Sequence, residues 1–168
     1  MADDYAFPER FVARRWADPL AEKFGFPVNS IYTEAIMLPI LGPSACWCLR
    51  RLSAWVSAGP RGVEVDSRRL ARDLGLGDGL GRHAAITKTL RRLCHFEMTA
   101  WAHDVLMVRT AVTPLPEAQV TRLSPELVQL HDQMVRRQVR HQAASHAGAR
   151  ASAVASVPED GGPRPVGL

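Results

Sequence analysis

Four bases and no acid occupy the window from Gly81 to His95: Arg82, Lys88, Arg91 and Arg92. The window's charge of +4 equals the formal net charge of the whole 168-residue chain, in which 21 basic side chains face 17 acidic ones. A stretch of one sign attracts anions, and arginine pairs well with phosphate oxygens. By region, the charge is −1 over residues 1–27, +4 over 28–116, +1 over 117–146 and 0 over 147–168. The excess is therefore local. Arginine is nonetheless abundant throughout, with Lys23 and Lys88 the only lysines, so its abundance alone assigns nothing.

Other chemistry is poorly provided for. No nucleophile motif and no carboxylate pair at a recognisable spacing is present, so catalysis is not expected. Ser44, after Gly42 and Pro43, suits a helix start. The three cysteines, Cys46, Cys48 and Cys94, are expected to be reduced thiols in small packed side chains. On one helix Cys46 and Cys48 would point about 200° apart, too far round to hold one ion. Cys94 and His95 lack the paired short spacings of a zinc site, so neither a metal nor another cofactor is expected. Gly75 to Gly81 is glycine-rich but fits neither phosphate-loop spacing and follows a helix, so it reads as a lengthened turn. No apolar stretch of about 20 residues exists, so no membrane span is expected. The opening Met-Ala-Asp-Asp-Tyr carries acids where a signal peptide carries bases, so export is not expected and a cytoplasmic location is.

The elements that would position the basic window are legible from periodicity. Residues 1–27 carry Phe7, Phe11, Trp16, Phe24 and Phe26, while Pro8, Pro19 and Pro27 limit any helix to one or two short pieces. This arm should lie across the domain or a partner. A first helix runs from Gly42-Pro43-Ser44 to about Ser57, with Leu41, Ala45, Cys48, Leu49, Leu52 and Val56 on one face. A short strand, Gly62 to Val65, follows. Asp66 or Ser67 then caps a second helix, Arg68 to Leu74, stopped by Gly75 with Leu76 as an apolar anchor.

A third helix spans about Arg82 to Phe96. Ile86, Leu90 and Leu93 should be buried, with Ala84, Lys88, Arg91 and His95 on the opposite face and Ala85 and Arg92 on its flank. Met98 to Trp101 and Val105 to Thr110 read as a hairpin about a turn at Ala102-His103-Asp104. Residues 117–146 read as helix, started by Ser124-Pro125-Glu126, and residues 147–168 as a disordered tail. His83, His95, His131, His141 and His146 are expected at the surface. Trp47, Trp55 and Trp101 are expected in core or interface.

Helix, strand, helix, turn, helix, hairpin is the order of a winged helix–turn–helix domain, and residues 41–112 resemble that superfamily. Leu70-Ala71-Arg72-Asp73-Leu74-Gly75-Leu76 is similar to its second helix and turn. Ile86, Leu90 and Leu93, followed by Met98 and the hairpin, are similar to its recognition helix and wing. Three departures stand out: the turn is long, the hairpin is short, and Glu97 occupies a position where many members carry Gly. The fold expected is mainly α with a small β-hairpin, an N-terminal aromatic arm and a C-terminal helix.

The resemblance implies a third helix in the major groove of double-stranded DNA. Ala84 and Ala85 would let it approach closely. Thr87 and Lys88 would reach bases, and Arg91 or Arg92 would bond guanine or phosphate. Arg82 and His83 would meet phosphate at the helix start, Arg68, Arg69 and Arg72 would flank the groove, and His103 would contact the backbone from the wing. Leu127, Leu130 and Met134 form a narrow stripe that would either pair with its mate in a homodimer or pack back onto the first helix. A dimer would imply a palindromic site. Two functional expectations follow. One is a sequence-specific regulator of transcription. The other is a winged-helix module that docks a protein of the replication or transcription machinery, using the aromatic arm, with little specific DNA binding.

Overall fold

The computed structural model describes residues 7–155, with side chains through residue 145. In the N-terminal arm, Phe11 and Ala13 turn inward while Arg10, Arg14 and Arg15 stay exposed, a period of two that makes a strand, β1 (Arg10–Arg15). The expectation of helix holds only for α1 (Pro19–Phe24), where the Asp18 carboxylate accepts the Ala21 N–H at 3.0 Å and Pro19 takes the first position. After β2 (Phe26–Pro27), a π-helical turn (Thr33–Met37) leads into α2 (Leu38–Leu41) and α3 (Pro43–Ala58). Next come β3 (Val63–Asp66), α4 (Ser67–Asp73), α5 (Ala85–His95), the hairpin β4 (Thr99–Ala102) and β5 (Val105–Val108), then β6 (Ala111–Val112), α6 (Glu117–Val120) and α7 (Pro125–Ala155).

The fold is mainly α with a small mixed sheet, and the arm forms one of its inner strands. The order is β3-β1-β5-β4. β1 runs antiparallel to β3, with Phe11 opposite Val65, and parallel to β5, with Ala13 opposite Leu106. β2 and β6 form a second, two-stranded sheet. One core joins Leu49, Leu52 and Val56 of α3, Leu70 of α4, Ile86, Leu90 and Leu93 of α5, and Leu106 and Val108 of β5. The inward face expected of the first helix is buried throughout, Leu41 and Cys48 included.

Local signals set the element ends. Asp66 caps α4 by accepting the Arg69 N–H at 2.9 Å. At its far end Gly75 takes φ 69°, and the Gly75 and Leu76 N–H groups return to the Arg72 and Ala71 carbonyls. α5 ends in the same way, its N–H donors being Glu97 to Cys94 and Met98 to Leu93, but the left-handed position is Glu97 at φ 56°. A side chain there costs about 1–2 kcal/mol relative to glycine. Glu97→Gly is therefore expected to raise stability by about 1 kcal/mol, read as a higher urea midpoint with an unchanged slope. A lower midpoint would show that the turn draws on the glutamate side chain.

The C-terminal helix starts as expected, with Pro125 at its first position and the Ser124 hydroxyl accepting the Leu127 N–H at 3.4 Å. It continues past residue 146 to Ala155, into the stretch expected to be disordered. The expectation for residues 156–168 lies outside the described residues. His131 departs from its expected surface position. It is buried, 5.9 Å from the Tyr32 ring, because α7 lays this face on the π-helical turn.

Candidate nucleic-acid interface

The basic window divides into a lead-in and a helix. Arg82 and His83 precede α5 and are exposed, the Arg82 Nε donating to His83 Nε2 at 2.9 Å. Ala84 is the cap residue, half-buried against the core. It offers no side-chain acceptor, so the first N–H groups of α5 are not capped from that position. Ala85 and Lys88 are exposed, and Arg91 is half-buried beside the lead-in, its Nη1 3.4 Å from the Arg82 carbonyl. Together these residues form one cationic face on a helix whose other side holds Ile86, Leu90 and Leu93 in the core.

Two residues expected on that face have other duties. Thr87 is fully buried and its hydroxyl donates to the Leu80 carbonyl at 3.3 Å, so it secures the long turn and cannot reach a base. Arg92 donates from Nη2 to the Ile40 carbonyl at 2.7 Å and lies over the Phe96 ring, so it ties α5 to α2. The buried position of Thr87 was open to sequence reasoning: it directly follows Ile86 and lies three residues before Leu90.

The flanking expectations also divide. Arg69 on α4 is exposed. Arg68 pairs with Glu9 at 2.9 Å and reaches the Asp78 carbonyl, while Arg72 pairs with Asp78 at 3.5 Å. These two hold the arm and the glycine-rich turn as much as they face outward. His103 sits exposed at the hairpin tip with φ 56°.

The arm is not a free docking segment. Phe11 and Phe26 are buried, and Trp101 of β4 packs against Phe7 and Phe11 at 5.6 and 5.4 Å. Ser67 fixes the arm from α4, its hydroxyl donating to the Pro8 carbonyl at 2.7 Å. The stripe expected to form a dimer, Leu127, Leu130 and Met134, packs against this chain's own core. It packs inward, as one of the two expectations had it, but on α1 and the π-helical turn rather than on α3, the first helix of that expectation. Cys46 and Cys48 are buried, which pushes their thiols up to about 11 and about 12, so neither is a nucleophile at neutral pH.

One feature escaped sequence reasoning. A shallow groove of about 440 Å³ runs between the start of α3, at Gly42, Ser44 and Ala45, and the flank of α5, at Lys88, Thr89 and Arg92. The two segments are distant in sequence, and no local pattern joins them. No family model, curated protein or solved structure matches the chain.

Proposed function

We propose that the chain is a winged-helix protein that binds double-stranded DNA, with α5 in the major groove, and acts as a regulator of transcription. The observation that carries this reading is the cationic face of α5 and its lead-in, at Arg82, His83, Lys88 and Arg91, from a sequence window that contains no acid, backed by a helix side that is wholly buried. The order α3, β3, α4, α5, hairpin supports it. So does Glu97, left-handed at the position where many winged-helix chains carry Gly. Arg69 on α4 and His103 at the hairpin tip are exposed as well. Burial of Phe11 and Phe26 takes two of the arm's five aromatics away from a protein-docking module, while Phe24 and Leu20 stay exposed.

DNA held this way should lose affinity with salt at a log–log slope of about −0.9 per phosphate neutralised. Anisotropy titrations of a labelled duplex against Arg69→Ala/Lys88→Ala should show weaker binding and a slope shallower by about 0.9 for each phosphate no longer neutralised. An unchanged affinity and slope would remove the assigned face. Discrete peaks in genomic footprinting of the tagged protein would support a regulator. Diffuse signal would leave only non-specific binding.

A further inference from the structure

The start of α3 has the chemistry of an anion seat. Gly42, at φ 81°, is the cap residue and supplies no side-chain acceptor. Pro43 has no N–H, and the Cys46 N–H is taken by the Gly42 carbonyl at 3.0 Å. The Ser44 and Ala45 N–H groups are left with no partner among the described residues. They sit at the positive end of a 16-residue helix.

Three side chains of α5 line the same groove. Lys88 is exposed and makes no ion pair among the described residues. Arg92 is held in place by its Nη2 bond to Ile40 and by the Phe96 ring beneath it, while Nε and Nη1 make no hydrogen bond to a described residue. Thr89 is 6% exposed, and its hydroxyl has no hydrogen-bond partner among the described residues. Thr89 lines the groove, and its hydroxyl is not sealed from solvent. A buried hydroxyl in an α-helix commonly bonds its own backbone. This one makes no such bond. Among the described residues, no acid lines the groove.

We propose that this groove seats one phosphate group, held by the Ser44 and Ala45 N–H groups, the Thr89 hydroxyl and the cations of Lys88 and Arg92. Its source, resting on the DNA-binding reading, is a backbone phosphate of the duplex beside α5. The groove would then fix the register of α5 by gripping the duplex from a second helix, through backbone groups that read no sequence.

Ser44→Asp is the decisive variant. Ser44 is exposed, and a carboxylate in the first turn favours the helix while repelling phosphate, so thermal melting should match or exceed the parent's. Duplex affinity should fall by about tenfold or more, as for removal of a charge-assisted hydrogen bond. The salt slope should become shallower by about 0.9. Thr89→Val should weaken binding by about threefold or more, as for a neutral hydrogen bond. If the parent binds duplex and Ser44→Asp binds equally well with the same slope, the proposal is overturned while the DNA-binding reading stands.

Inorganic phosphate separates the two sources. Titrated into the full chain, it should move the amide resonances of residues 44 and 45 saturably, and Ser44→Asp should abolish the response. Should the parent bind no duplex, the DNA-binding reading falls. Saturable shifts would then assign the groove to free phosphate, and their absence would overturn the seat itself.

Discussion

Phe11→Ala is expected to cost about 3–5 kcal/mol of folding stability. That approaches the whole stability of many domains, about 5–15 kcal/mol. The size follows from where the ring sits. Phe11 is 5% exposed, lies on a strand between two others, faces Val65 across β3 and meets the Trp101 ring edge-on. Removing the ring leaves a cavity on the face where the sheet meets the core. It also loosens the strand that joins β3 to the hairpin. Urea unfolding by circular dichroism measures the loss. If the midpoint moves by less than the equivalent of about 1 kcal/mol, at the mild end for a point mutant, β1 is not an integral strand of this sheet. A truncation beginning at residue 16 should go further and fail to fold, because it bares the facing edges of β3 and β5 together.

This strand also marks the limit of what the sequence reveals. The helices α3, α4 and α5 and the β4–β5 hairpin lie within a few residues of their expected bounds. Each carries a local signal: Pro43 after Gly42, Asp66 before Ser67, Gly75 after Leu74, and two β-prone runs about Ala102 to Asp104. β1 has only Phe11 and Ala13 as inward residues, flanked by arginines, and that short alternation was outweighed by the prolines around it. Its placement depends on pairing partners more than 50 and 90 residues away in the chain, at Val65 and Leu106. No local pattern specifies such a pairing.

The candidate site divides along the same line. The cationic face of α5 follows from residue type and helical period. Which of its members are spoken for does not, because the Ile40 carbonyl that holds Arg92 and the Glu9 carboxylate that holds Arg68 come from remote segments. The groove at α3 is of that kind too, formed where two helices meet.

Tyr32 carries the second large effect, and it concerns how the C-terminal helix is mounted. The ring is fully buried and stacks on Phe26 with centroids 3.9 Å apart and planes 3° from parallel. Its hydroxyl accepts the Leu115 N–H at 2.8 Å, across 83 residues of chain, and His131 of α7 covers it. Tyr32→Phe keeps the stack but orphans a buried N–H, at a cost of about 1–3 kcal/mol. Tyr32→Ala also empties the space of the ring, a truncation that costs about 3–5 kcal/mol.

Burial pushes the Tyr32 hydroxyl from its ordinary 10.0 up to about 12. The folded state therefore holds this proton more tightly than the unfolded chain. Its contribution is complete below pH 10.0 and is lost as pH rises towards about 12. The buried thiols of Cys46 and Cys48 titrate in the same direction, so the parent should lose stability in alkali from several groups at once. The part due to Tyr32 is the part missing from Tyr32→Phe. Urea midpoints at neutral pH and at pH 11 should therefore converge for the two proteins, the parent losing more of its margin. If the gap between them is the same at both pH values, the hydroxyl is reachable by water, and Tyr32 does not seal the joint beneath α7.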